Sequence, residues 1–123
     1  MRPLFDIHCH GALGHEFGGS VEGNRIAAAH HRDAGTTTML ASLVSGTPET
    51  MERSVRSLAP LVADGTVAGI HLEGPFLSHE RRGAHDPGVL TDPDPALIDR
   101  LVDVAGAPGV LRQTTFAPER PGA

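Results

Sequence analysis

The sequence predicts an α/β fold in which helices cover a parallel sheet. Four β-prone segments alternate with three amphipathic segments along the 123 residues, and right-handed β-α-β connections of this kind build parallel sheets. Two of the three predicted helices also begin with a capping residue followed by proline. The pattern fits half of an eight-stranded barrel as well as a small open sheet, so periodicity leaves that choice open.

The predicted strands are short segments rich in β-branched and other apolar residues, which suit a pleated and partly buried surface. The first strand enters a glycine-rich turn at 11–19, where the chain changes direction. The third leads into a polar loop at 74–93, and loops of that length without regular structure are more often functional than not. The strands are predicted at 4–10, 36–43, 67–72 and 110–116.

The predicted helices are delimited by residues that cap helix ends. A side-chain oxygen before the first turn accepts a backbone hydrogen bond, proline suits the first helical position, and glycine suits the residue after the last turn. The predicted N-caps are Ser20 or Asn24, then Thr47, then Asp94. The predicted ends are Gly35 and Gly106 for the first and third helices.

Apolar residues recur every three or four positions in the second and third helices, which predicts one buried face for each. Pro60 is expected to kink or split the second helix, because proline lacks a backbone N–H and clashes with the preceding turn. The buried stripes are predicted to be Met51, Val55, Leu58 and Val62, then Leu97, Leu101 and Val104.

Composition excludes several classes of partner. With 15 acidic and 10 basic residues the net charge is −5, so there is no basic field to attract a nucleic acid or an anionic membrane. No apolar run approaches the roughly 18 residues of a membrane span. A single cysteine, Cys9, permits no internal disulfide and agrees with a reducing compartment. We therefore expect a soluble, cytoplasmic protein.

The first predicted strand ends in a His-x-His motif. Because side chains alternate across a strand, Asp6, His8 and His10 share one face and Cys9 lies on the other. Two imidazoles on one face can bind a single metal ion, and the neighbouring Asp6 carboxylate can fix their tautomers. The alternative is a pair of hydrogen-bonded histidines at a polar sheet end. Cys9 is interpreted as a small buried residue against a helix.

The third predicted strand ends at His71-Leu72-Glu73, and Gly74-Pro75 stops the ladder there. Glu73 shares a face with His71 and lies at the carboxyl end of a parallel strand, where α/β proteins place site residues. Together with His8 and His10 it offers the mixed nitrogen and oxygen ligands that divalent metals take. Glu73 can also be an exposed glutamate in a turn, and His71 a hydrogen-bonded residue with no direct contact to a ligand.

The long loop contains four residues that suit a phosphorylated sugar. Arg81 and Arg82 can attract a phosphate, and Ala84 and His85 can contact a sugar. An arginine pair in a loop is also commonly a solvated surface. Among the remaining histidines, His30 and His31 diverge by about 100° around the first helix and are interpreted as helix surface. Glu119 is expected near the mouth of the site, without an assigned role.

Five segments together resemble the N-acetylglucosamine-6-phosphate deacetylase family of the amidohydrolase superfamily. The resemblance covers nearly the whole chain, and HLEGPF with the following GAHDP is its most specific part. It implies a (β/α)₈ barrel of the TIM type, of which residues 1–123 form a truncated first half with about four strands and three helices. The segments are 5–11 (FDIHCHG), 34–37 (AGTT), 71–76 (HLEGPF), 83–87 (GAHDP) and 116–119 (FAPE).

The resemblance also implies a metal site. Matched position by position, Glu73 is the principal metal ligand, His8 and His10 ligate a second metal in some members, and Ala84 and His85 bind the sugar. A divalent ion is expected, with zinc or iron as first candidates and one or two ions per site. Many other amidohydrolases bridge two metals with a carboxylated lysine, whereas this chain has no lysine, so Glu73 is the available bridging ligand.

The activity implied is hydrolysis of the acetamide of N-acetylglucosamine 6-phosphate to glucosamine 6-phosphate and acetate. The family's catalytic aspartate is expected beyond Ala123, so no catalytic residue is assigned here and the isolated chain is expected to be inactive. A small amino-sugar phosphate is the expected partner, and the full-length enzyme is expected to be a homodimer. Two alternatives stay open: an amidohydrolase acting on another N-acylated sugar or amide, and a non-catalytic truncated fragment.

Overall fold

The computed structural model describes residues 2–123 and contains one main sheet with three helices. A small antiparallel hairpin and a short 3₁₀ helix, Pro87–Val89, complete it. The strands are β1 (Leu4–Cys9), β2 (Gly11–Ala12), β3 (His15–Glu16), β4 (Thr36–Leu43), β5 (Gly69–Glu73) and β6 (Leu111–Thr115). The helices are α1 (Val21–Asp33), α2 (Pro48–Ala63) and α3 (Pro95–Ala105).

The main sheet has the order β1-β4-β5-β6, and every neighbouring pair is parallel. The three helices connect successive strands, so the predicted alternation and the parallel sheet are confirmed. The glycine-rich turn contains a hairpin that the sequence did not predict, in which β2 and β3 pair antiparallel. Among the described residues no helix is long and apolar enough to cross a bilayer.

The hydrophobic core lies between the helices and one face of the sheet. Alternate residues of the two central strands are buried there, and each helix contributes a row of buried side chains. Because strand side chains alternate, the intervening residues Ser42, His71 and Glu73 lie on the opposite face. The core-facing strand residues are Met39, Ala41, Leu43, Ile70 and Leu72.

Side-chain hydrogen bonds identify the N-cap residue of each helix. The hydroxyl of Ser20 accepts a hydrogen bond from the N–H of Gly23, which selects Ser20 as the first N-cap. Asn24 lies inside α1 instead, buried, with its side chain bonded to Gly18 and Ser57. The predicted caps Thr47 and Asp94 accept bonds from Thr50 and Ala96, and Gly106 ends α3 in the left-handed conformation.

The structure refines two details of the helix prediction. Pro60 does not split α2, which continues to Ala63, because this proline lies in the last turn and removes only one internal hydrogen bond. Val62 is half-buried and packs against the core as predicted, and the neighbouring Leu61, outside the predicted stripe, is fully buried. Both positions fit a spacing of three or four from Leu58, so the periodicity could not separate them.

The two outer strands are exposed in the described chain. Each of β1 and β6 pairs with one neighbour only. Phe5 and Ile7 on β1 remain 73% and 59% exposed, and Phe116, just after β6, is 46% exposed. Apolar side chains of this size at an unpaired strand form a surface that another element can cover.

A polar cluster joins α1 to the segment after α2. Asp64 accepts hydrogen bonds from the N–H and hydroxyl of Thr66, and Arg25 lies 2.7 Å from its carboxylate. The bonds from Thr66, followed by Arg25, lower the pKa of Asp64 to about 2 from the usual 3.8. A carboxyl group whose pKa is lower in the folded than in the unfolded state stabilises the fold when it is ionised. This stabilisation is complete above the unfolded-state pKa and is lost as the pH falls through the folded-state pKa.

We expect Asp64→Asn to lower the midpoint of thermal unfolding at pH 7. The difference from the wild type should shrink as the pH falls from about 4 to about 2, where Asp64 becomes protonated. Thermal unfolding followed by circular dichroism across this range measures it. Asp99→Asn is the matched control, because Asp99 is exposed and its side chain has no hydrogen bond or ion pair among residues 2–123. A difference in unfolding midpoint that does not change with pH would contradict the lowered pKa of Asp64.

Candidate metal centre and its cleft

Three predicted ligands meet at the carboxyl edge of the sheet. β1 and β5 flank β4 in parallel, so their carboxyl ends open on the same side. The Nε2 atoms of His8 and His10 are 3.1 Å apart. They lie 3.1 and 2.7 Å from the same oxygen, Oε2 of Glu73. The structure therefore brings Glu73 to two histidines that precede it by more than 60 positions in sequence.

The donor set and its spacing fit a divalent metal ion. Two ligands about 2.0–2.1 Å from a tetrahedral zinc ion lie about 3.3 Å apart, and the three separations here fall a few tenths of an ångström below that distance. Small side-chain rotations would open the triangle to ligand spacing. Imidazole nitrogen with carboxylate oxygen suits zinc and iron alike.

The electrostatics of the cluster favour an ionised carboxylate. Burial by itself raises the pKa of Glu73, but hydrogen bonds and positive charge from His8 and then His10 outweigh it, so the pKa lies below its usual value. Glu73 is 21% exposed, compared with 48% for His8 and 34% for His10. The acid is therefore the innermost member of the cluster and is negatively charged at neutral pH.

The neighbours of the His-x-His motif differ in part from the prediction. Asp6 accepts a hydrogen bond from the backbone N–H of His8 and, within residues 2–123, makes no hydrogen bond to either ring, so its predicted role in fixing the tautomers is wrong. Cys9 is buried against α1 as predicted, and burial raises the pKa of its thiol. His31 is not simple helix surface: its Nε2 lies 3.1 Å from Cys9 Sγ and 2.9 Å from the carbonyl oxygen of Gly11.

His85 comes from the long loop and reaches the same carboxylate. Its Nε2 lies 3.5 Å from Glu73 Oε2, and its side chain is only 9% exposed. The backbone N–H of Ser45 donates to His85 Nδ1 at 3.2 Å. An N–H can donate only to an unprotonated nitrogen, so the neutral ring carries its hydrogen on Nε2, facing Glu73 and the cleft.

Ser45 was missed in the sequence, because its role depends on how the long loop folds back over β4. Its hydroxyl lies 2.8 Å from the unprotonated His85 Nδ1, to which it can donate, and 3.4 Å from the carbonyl oxygen of Glu73. Gly74 leaves room for this contact, since a Cβ at that position would overlap Ser45 Oγ. The only available signal was its position just after a predicted strand.

An open cleft of roughly 760 Å³ lies above the cluster. His8, His10 and Glu73 form part of its wall, and the long loop contributes Arg81, Arg82, Ala84 and His85. The structure therefore brings the predicted sugar-contacting and phosphate-attracting residues to the predicted metal ligands. Glu119, by contrast, is exposed and does not line this cleft.

Comparisons with known proteins agree with one another. The chain is 31% identical to the N-acetylglucosamine-6-phosphate deacetylase of Lysinibacillus sphaericus over 98% of its own length and 32% of that protein's. An N-acetyl-D-glucosamine-6-phosphate deacetylase variant from Mycobacterium smegmatis, solved with N-acetyl-D-glucosamine-6-phosphate, superposes with a TM-score of 0.91 at 45% identity. That match covers 98% of this chain and 32% of the solved one.

A further relative has a different sugar in its name. The N-acetylgalactosamine-6-phosphate deacetylase of a Shewanella strain is 34% identical over 73 residues, which cover 58% of this chain and 18% of that protein. A scan against models of protein families finds no match. The chain spans about a third of the length of the relatives it matches end to end.

The fold and the cleft define an α/β protein with a candidate metal centre at the carboxyl edge of a parallel sheet. Its curated and structural neighbours consistently identify one group. That group is the N-acetylglucosamine-6-phosphate deacetylases, about a third of whose length this chain matches, so the resemblance that the sequence motifs predicted is confirmed.

The tautomer of His85 can be measured directly. We expect long-range ¹H–¹⁵N spectra of the protein at pH 8 to show His85 with an unprotonated Nδ1 and a protonated Nε2, because the Ser45 N–H donates to Nδ1. Ser45→Ala should keep this tautomer, since the backbone donor remains. A protonated Nδ1 in the wild type would contradict the hydrogen-bond assignment.

Proposed function

We propose that this chain is part of an enzyme that hydrolyses the acetamide of N-acetylglucosamine 6-phosphate to glucosamine 6-phosphate and acetate. The observation that supports this most strongly is the convergence of His8, His10 and Glu73 in a cleft whose other wall contains His85. Similarity to deacetylases of this specificity over nearly the whole chain points to the same chemistry.

We infer that residues 1–123 form part of a (β/α)₈ barrel, with β1, β4, β5 and β6 as four successive strands. Support comes from the consecutive parallel order and from the apolar side chains left exposed on β1 and after β6. Both features suit a sheet that continues on either side. A homodimeric full-length enzyme stays a prediction.

The metal centre in this proposal consists of His8, His10 and Glu73. A divalent ion such as zinc or iron held there would polarise the amide carbonyl and make a water molecule more acidic. Glu73 contributes negative charge, because its carboxylate is ionised at neutral pH. His8 and His10 contribute neutral imidazole nitrogens from the end of one strand, which requires little rearrangement on binding.

The long loop would bind the substrate. The Nε2–H of His85 faces the cleft and can donate a hydrogen bond to a sugar oxygen, with Ser45 holding the ring in that orientation. Ala84 lines the cleft beside it. Arg81 and Arg82 place positive charge on the same loop, which suits the phosphate of the substrate.

The acid–base group that transfers the proton to the leaving amine is not assigned within residues 2–123. Asp86 lines the cleft, but its carboxylate accepts a hydrogen bond from Gly88 at the start of the 3₁₀ helix. We therefore place this group elsewhere in the complete enzyme. The isolated chain is expected to bind metal without turning over substrate.

N-Acetylgalactosamine 6-phosphate is the second candidate substrate, favoured by the shorter match to the Shewanella enzyme. The two sugars differ only in the orientation of one ring hydroxyl. The reacting amide and the phosphate are the same in both, so the metal centre and the arginines would serve either substrate.

Metal binding tests the proposed centre. We expect Glu73→Gln to weaken Zn²⁺ binding by at least about 100-fold, because it removes the only carboxylate among the proposed ligands. Isothermal titration calorimetry of the purified chain measures the change. Glu119→Gln is the matched control, since it makes the same chemical change at an exposed position outside the cleft. Equal affinities for the two variants would contradict this centre.

A chimera tests the activity. In it, this chain replaces the matching third of the Mycobacterium smegmatis deacetylase, to which it is 45% identical. We expect kcat/KM for acetate release from N-acetylglucosamine 6-phosphate within about tenfold of the parent enzyme, equivalent to about 1.4 kcal/mol in the barrier. Glu73→Gln in the same chimera should lower it by at least about 100-fold.

The galactosamine epimer is assayed in parallel. Faster acetate release from the epimer would favour the second candidate. A chimera that folds and binds Zn²⁺ but deacetylates neither sugar phosphate would contradict both.

A further inference from the structure

His71 is a fully buried histidine directly beneath the proposed metal centre. It lies two residues before Glu73 on β5 and has no exposed surface. Both of its ring nitrogens are paired: Nδ1 lies 2.8 Å from the hydroxyl of Ser42, and Nε2 lies 2.8 Å from the hydroxyl of Thr115. A buried imidazole with two partners is held in one orientation.

These contacts form a polar chain across the whole main sheet. The N–H of Cys9 on β1 donates to the hydroxyl of Ser42 on β4 at 3.0 Å. Ser42 is joined to His71 on β5, and His71 to Thr115 on β6. All four strands are therefore linked by one series of hydrogen bonds, a single layer below His8, His10 and Glu73.

The ring of His71 packs against the ring of His8. The two ring centroids are 4.9 Å apart, with an interplanar angle of 88°, so the rings pack edge to face. Within residues 2–123 the side chain of His8 makes hydrogen bonds or ion pairs only through Nε2, and it is 48% exposed. Its ring packs against the rings of His10, whose centroid is 5.1 Å away, and His71, and of these two His71 is the buried one.

We propose that His71 is a positioning residue for the metal centre: held by Ser42 and Thr115, it orients His8 so that Nε2 points at Glu73. The inference rests on the proposed metal centre and assigns His71 no direct contact with the ion, since each of its nitrogens already faces a hydroxyl. Orienting an exposed imidazole before the ion arrives reduces the rotamer freedom lost on binding.

Thr115 offers the cleanest test, because removing a fully buried histidine can itself unfold the protein. Thr115→Val keeps the shape of the side chain and suits a strand, but it removes the hydroxyl that faces His71 Nε2. Thr115→Ser restores a hydroxyl. Thr114→Val is the matched control: it is the same change on the neighbouring residue, whose side chain is exposed and has no bond to His71.

The measurements are Co²⁺ affinity by calorimetry, the visible absorption spectrum of the Co²⁺ complex and the midpoint of thermal unfolding. We expect Thr115→Val to weaken Co²⁺ binding by about tenfold, in the range of other residues that orient ligands, and to change the spectrum. Thr115→Ser and Thr114→Val should match the wild type in both. The unfolding midpoint tells whether each variant is folded.

The possible failures are distinguishable. If the wild type does not bind Co²⁺, the proposed metal centre is wrong, and this role of His71 falls with it. If the wild type binds and Thr115→Val has the same affinity and spectrum, the centre stands and the positioning role is overturned. An unfolding midpoint lowered without any change in affinity or spectrum would give the His71 network a purely structural role, which also overturns the proposal.

Discussion

The parallel pairing of β1 and β5 on either side of β4 is the constraint on which the candidate site depends. It sends the carboxyl ends of both strands to one edge of the sheet, and the alternation of side chains then directs His8, His10 and Glu73 to the same face. A shift of one residue in either strand would turn these side chains toward the helices. The register of the strands therefore determines whether the three side chains of the candidate site can meet.

Burial of polar groups beneath the site reinforces that register. Ser42 and His71 are fully buried on the face opposite the hydrophobic core, where an unpaired polar group would be costly. Because their partners come from all four strands, sliding one strand would break these bonds. The same network lies beneath the cleft, one layer below Glu73 and the two imidazoles.

The sequence predicted most of the fold and the three side chains that meet at the sheet edge, because helix caps, strand faces and the parallel order of the strands follow from sequence patterns. Caps such as Thr47 and Asp94 need only their own first turn, and the shared face of His8 and His10 needs only strand periodicity. The pairings of Ser45 with His85 and of His31 with Cys9 join residues 40 and 22 positions apart. They depend on how the loops and helices pack against the sheet, which the periodicity of the sequence does not predict.

The most direct test of the proposed metal centre is a crystal structure of the protein with Zn²⁺. Anomalous data collected at the zinc absorption edge would locate the ion. We expect an anomalous peak within about 2.0–2.3 Å of Nε2 of both histidines and of the Glu73 carboxylate. Zinc bound only at His15, His30 or His79, with Glu73 turned away from His8 and His10, would contradict it.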